Sequence, residues 1–284
     1  MGSRIQETVD QRVREGKFSL ETGKALKRKF EVTDKLTGLY KRFSKSPESR
    51  FGKDDLREVD IKLIPWNIQT SAGQPKFFKP FNLEGYHVPE YHLHKLLDDR
   101  EYCHSGLLRL QNCMSESSDI ETDSDLLISS GWNGEKYNRE LLRERGDVDN
   151  LGHRYEWSSN RMFARDDAPH TIILSTHMCD EPERILRSEL MILLAIITGR
   201  GALGRNLDHD IVPVLLISLR HHHFRVIEAY YDGSNVVVRY SNPVHLKLND
   251  SCKQQQQAAR QIIRWCVAEP VGDTRKFSSL QSSR

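Results

Sequence analysis

The run Ile211–Leu219, IVPVLLISL, is apolar at nearly every position and rich in branched residues. Its length and patterning read as a strand buried on both faces, the mark of a central strand, with Pro213 near its start. FRVIEAYYDG follows from Phe224 and ends in the turn Asp232-Gly233-Ser234-Asn235, after which VVVRY (Val236–Tyr240) returns. That order predicts a hairpin. A helical block precedes it, DEPERILRSELMILLAIITGRG. Asp180 is placed to cap, Pro182, Glu181 and Glu183 sit in the first turn, and Gly199 and Gly201 end it. A closing helix, QQQQAARQIIRWCVAE, turns Ala258, Ala259, Ile262, Ile263, Cys266 and Val267 to one side. HTIILST (His170–Thr176) adds a short strand. The expected fold is α+β or α/β: a small mixed β-sheet flanked by helices, residues 151–269.

The rest of the chain is more polar. Hydrophobic residues make up 37% of the 284, so one ordinary core with polar segments outside it is the simplest reading. Residues 1–60 read as a basic helical arm, with 13 Lys and Arg against 7 Asp and Glu in the first fifty. Ser19 is its second helix's N-cap. Residues 61–112 form a loop-rich segment carrying Phe77, Phe78, Phe81, Tyr86 and Tyr91, aromatics pinned onto a core. IKLIPWNIQ within it is an edge strand, because Pro65 removes a ladder donor. Glu90–Leu97 starts a helix. Residues 113–150 combine an acidic, Ser-rich mobile linker with a charged helix at Lys136–Gly146. After Pro270 the tail 270–284 has no core residues. The polar N-terminus lacks a secretory apolar stretch, and the longest apolar run, Leu190–Ile197, is less than half a membrane span. Five scattered Cys without a CxxC point to a reducing compartment. The expectation is an intracellular protein without a membrane anchor.

Four constellations bear on chemistry. The histidines (His221, His222 and His223; His92 and His94; His170 and His177 with Cys179) lack the spacing of a closed zinc site. Nucleophilic catalysis has no GxSxG elbow to rest on, and GRGALGRN follows a helix, the wrong order for a phosphate-binding loop. The acidic segment presents Ser115, Ser117, Ser118, Thr122 and Ser124 among five carboxylates, a pattern for phosphorylation. The basic helix carries Lys24, Lys27, Arg28 and Lys29, then Lys41 and Arg42. These are spaced as a bipartite nuclear-localisation signal and suited to neutralising phosphates of nucleic acid, or an acidic protein partner.

The order helix, strand, hairpin, helix over Asp180–Glu269 resembles the core of the PD-(D/E)XK nucleases. The resemblance implies a Mg²⁺ site, for which Glu189 on the helix and Glu228 on the middle strand match. The third strand reads Val237-Val238-Arg239 where the family has an acidic residue, any residue, and Lys. A carboxylate is missing and Arg239 replaces the lysine. The pieces IVPVLLISL, EAYYDG and VVVR also resemble a group of filamentous-fungal proteins without established activity, some lying beside secondary-metabolite genes. That resemblance implies an accessory or regulatory role. The function expected is therefore a non-enzymatic, nuclear, DNA-associated regulator without a cofactor. The alternative is a Mg²⁺-dependent nuclease using Glu189, Glu228 and Arg239.

Overall fold

The structure is a computed structural model describing residues 2–70, 73–90, 99–122, 124–136, 143–144, 157–179, 182–246 and 250–277. The chain opens with helices α1 (Gly2–Arg14) and α2 (Leu20–Ser44). Ser19 caps α2, its Oγ accepting from the Thr22 amide at 3.0 Å. Gly23 sits where α1 crosses: a Cβ there would lie 2.6 Å from Val13 Cγ2. Strand β1 (Ile61–Trp66) and helix α3 (Asp99–Ser115) come next. Strands β2 (Trp157–Ala164) and β3 (Thr171–His177) lead to helix α4 (Arg187–Gly201). The meander β4 (Val214–Arg220), β5 (His223–Tyr231) and β6 (Val236–Ser241) and helix α5 (Cys252–Cys266) complete the core.

The sheet runs in the order β1-β6-β5-β4-β3-β2. The β1/β6 and β4/β3 pairs are parallel, and the other neighbours are antiparallel. Every residue of β4 and β5 is buried, because helices cover both faces. Successive side chains alternate between those faces. Val214, Leu216, Ile227, Ala229, Val236 and Val238 pack with α2 and α4, while Leu215, Ile217, Val226, Tyr230 and Val237 pack with α3 and α5. The fold is thus α+β, as expected, and the sheet is larger than the small one anticipated. Val214–Arg220 is central with Pro213 just outside it, the hairpin forms across Asp232–Asn235, and β1 is an edge strand despite Pro65.

Several expectations are corrected. The basic helices do not project as an arm: Leu36 and Phe43 of α2 are buried in the core over α4. The helix predicted from Asp180 starts at Arg187, because Ile185–Leu186 pair with Arg50–Phe51 as a short antiparallel ladder. The acidic segment is folded. Ser118–Asp119 pair with Tyr86–His87, and Leu126 and Trp132 are buried. Arg143–Glu144 form a strand against β2; apart from the exposed Lys136, the rest of the charged helix expected at Lys136–Gly146, and all but Glu90 of Glu90–Leu97, lie outside the described residues. The tail contributes to packing, since Phe277 stacks edge-on to Tyr231 with centroids 5.8 Å apart. Its ring lies over Gly233, where φ of +97° would strain any other residue and an added Cβ would come within 3.1 Å of the ring.

Candidate functional site

The face of the sheet toward α4 divides in two. Its apolar half carries Ile173, Val214 and Leu216. At the carboxyl ends of the parallel strands β3 and β4 the same face turns polar, with Ser175 beside Ser218, His177 beside Arg220, and Arg225 beside Ser218 on β5. The N-terminus of α4 lies above this half. Carboxyl ends of parallel strands are where open α/β sheets bind ligands.

Glu189, fully buried, is the hub. Its Oε1 accepts from Ser218 Oγ at 2.5 Å and from Arg220 Nε at 3.1 Å. Its Oε2 accepts from Arg220 Nη2 at 2.6 Å and from the Leu186 amide at 2.9 Å, capping α4. Burial opposes the charge, but Arg220, His177 and Arg225 hold the carboxyl down at about 2. Arg220 and Arg225 also donate to the Arg184 carbonyl, and the Arg225 guanidinium lies 4.7 Å from the Tyr240 ring centroid. His177 completes the network, Nδ1 to Ser188 Oγ at 2.8 Å and Nε2 to Ser175 Oγ at 2.7 Å. Desolvation lowers its pKa to about 4, so the ring is neutral near pH 7. Both oxygens of Glu189 and both nitrogens of His177 are thus engaged internally. Outside them a cavity of about 90 Å³ is lined by Ser49, Arg50, His177, Cys179, Arg187 and Ser188 among others.

Glu228 lies across the sheet. It faces α5 under the strap of residues 73–79, accepting from the Lys76 amide at 2.8 Å and the Phe77 amide at 2.6 Å. Arg239 approaches to 3.7 Å, too long for a hydrogen bond, and reaches the Gly73 carbonyl at 3.3 Å. The nuclease constellation is therefore not assembled. Glu228 and Arg239 meet as cross-strand neighbours, but Glu189 is on the opposite face, so the two carboxylates cannot share the Mg²⁺ expected of them. Among the described residues no three His, Cys, Asp or Glu are grouped to hold a metal ion. His92 and His94 lie outside the described residues.

Burial pushes Glu228 up to about 7 against its two amide donors and Arg239. This carboxyl keeps its proton in the fold where the unfolded chain has released it, so its contribution to stability falls as pH rises from about 4.5 to about 7. His170 and His177 at about 4, and His223 at about 3, act oppositely: held neutral by burial, they lose stability as pH falls below their ordinary 6.5. Glu228→Gln removes the opposing group, and the acid-side loss of stability between pH 4.5 and 6.5 should steepen by about one proton in urea midpoints taken across that range. An unchanged slope would show that Glu228 is ionised throughout.

The basic residues are dispersed. Lys24 pairs with Glu21 at 3.1 Å, Lys27 with Asp10 at 2.6 Å, and Arg28 with Asp210 at 3.6 Å. Lys29 is corrected as a phosphate contact, because it is buried and donates to the His209 carbonyl. Lys41 and Arg42 are exposed at the end of α2. Past the Ser46–Ser49 turn that follows them, Arg50 pairs with Leu186 in the short ladder, and Arg187 Nη1 donates to the Ser46 carbonyl at 2.9 Å. Of the phosphorylation set, Ser117 is withdrawn, being buried and donating to the Cys113 carbonyl. Ser115 and Thr122 are exposed, and Ser118 and Ser124 are half-buried. Arg220 was legible only as the residue ending an apolar strand. The roles of Ser218, Ser188 and Arg187 depend on strand register and had no local signal. Comparison with protein-family models, with curated proteins and with solved structures finds no match.

Proposed function

We propose that this chain is a non-enzymatic regulatory protein that holds nucleic acid by its phosphates at the end of α2. The feature that carries the reading is the set of cations about the end of α2: Lys41 and Arg42 exposed in its last turn, with Arg50 and Arg187 flanking the Ser46–Ser49 turn that follows. Cations on rigid neighbouring elements suit phosphate contacts, which supply sequence-independent, salt-dependent affinity. The buried Glu189 hub then acts as the brace that sets α4 and Arg187 against that turn. With Lys29 buried, an intact bipartite import signal is not part of this reading, and nuclear residence rests on retention by nucleic acid. Phosphorylation of Ser115 or Thr122 would add negative charge opposing such binding. The resemblance to the fungal group supports an accessory role beside secondary-metabolite genes. Among the described residues no helix is long and apolar enough to cross a membrane.

Fluorescence anisotropy with a duplex oligonucleotide across salt concentrations tests the reading. Four phosphate contacts predict a log–log slope of about −3.6, and Lys41→Ala with Arg42→Ala should reduce it by about 1.8. Surface substitutions replace deletion of the helices, because α2 is a core layer. Absence of salt-dependent binding, or a slope untouched by the double substitution, would overturn the proposal.

A further inference from the structure

A second surface lies on the other side of the sheet. The outward face of α5 and the loops at 68–69 and 82–84 enclose an open groove of about 1120 Å³. Its floor is the buried pair Ile68 and Leu83. Lys253, Arg260 and Arg264 run along the α5 wall, with Gln257 and Gln261 between them; Gln69, Asn82 and Glu84 are on the opposite wall. Arg264, which lines the groove, is anchored by its Nε donating to the Phe81 carbonyl at 2.9 Å.

We infer that this groove binds a short, extended, acidic peptide from a partner protein. At 1.5 Å per helical residue, Lys253 and Arg260 are about 10 Å apart along the axis, and Arg260 and Arg264 about 6 Å. An extended peptide rises about 3.3 Å per residue with alternate side chains on one side, so carboxylates two residues apart match Arg260 and Arg264, and one four residues further along is within reach of the long, flexible Lys253. Carboxamides donate and accept at once, which fits the alternating N–H and C=O groups of an extended main chain. Three cations against the single carboxylate of Glu84 set the sign of the ligand. No lining residue is aromatic, whereas single-stranded nucleic acid uses stacking platforms. Ser118–Asp119 of the chain's own acidic segment pair with Tyr86–His87 instead. This surface is separate from the one at the end of α2, and the inference does not depend on the nucleic-acid reading.

The test uses the full chain and a fluorescein-labelled hexaglutamate, read by anisotropy, with hexalysine as control and an oligo-dT ten-mer as competitor. The expected result is saturable binding of hexaglutamate and none of hexalysine. Lys253→Glu with Arg260→Glu should weaken it at least about tenfold, while the duplex-DNA salt slope stays at its parent value. The milder pair Lys253→Ala with Arg260→Gln, checked by an unchanged thermal melt, gives the same direction if charge reversal disturbs folding. Hexaglutamate binding untouched by the milder pair, displacement by the ten-mer, or no binding at millimolar peptide would each overturn the inference.

Discussion

Arg220→Ala should be among the most destabilising single substitutions in this protein, lowering stability by about 3–5 kcal/mol. Both Arg220 and Glu189 have side chains with no solvent exposure. Removing the guanidinium leaves a buried carboxylate with Ser218 and one amide as its remaining donors, a site where it neutralises only at a cost. Chemical denaturation by urea measures the loss as a drop in midpoint at unchanged slope. The apolar pair Arg220→Met with Glu189→Leu should recover much of it, since a buried ion pair contributes little over a packed apolar pair of similar volume. Recovery would be incomplete, because the Ser218 hydroxyl and the Arg184 carbonyl lose partners. A single substitution that costs under about 1 kcal/mol would show that the pair is solvated, as surface ion pairs are.

The second large effect is expected in α2. Phe43 is 3% exposed, and its ring stands edge-on to Phe51 with centroids 5.1 Å apart. Phe43→Ala removes a large core side chain and should cost about 3–5 kcal/mol. Leu36→Ala, on the same face, should cost about 2–5 kcal/mol. Deleting residues 1–44 would bare the outer face of α4 and give insoluble or molten protein. A truncated chain that stays soluble with the parent melting temperature would show that the basic helices are an appendage after all. This contrast also protects the nucleic-acid test, since loss of binding after truncation would report unfolding rather than lost phosphate contacts.

Local pattern made much of the fold legible. IVPVLLISL could satisfy its apolar residues only in the middle of a covered sheet, and Asp232–Asn235 had the composition of a turn between two strands. Ser19 announced its helix because capping is an interaction over three residues. Pro65 marked an edge because it lacks an amide proton. Where the readings failed, the deciding partner was distant in sequence. Residues 180–186 look like a helix start, yet Ile185–Leu186 form a ladder with Arg50–Phe51, far upstream. Leu36 and Phe43 made a stripe too thin to form a core alone, and α4 supplied the surface that completed it.

The candidate site divides the same way. The sequence by itself determined that Glu189 stands in a helix and Glu228 in a central strand, because periodicity is a property of neighbours along the chain. It also determined that positive charge gathers near the N-terminus. Only the tertiary structure decided that the two carboxylates are on opposite faces, that Glu189 is closed off by Arg220 and Ser218, and that Arg187 is brought to the Ser46–Ser49 turn beside Arg50. A strand sends alternate side chains to opposite sides of the sheet. A helix can pack on either side, and which one it covers is settled by the fit of its apolar stripe to the whole sheet. Which charges meet is therefore a consequence of layer packing and strand register, and neither is written in any one stretch of the chain.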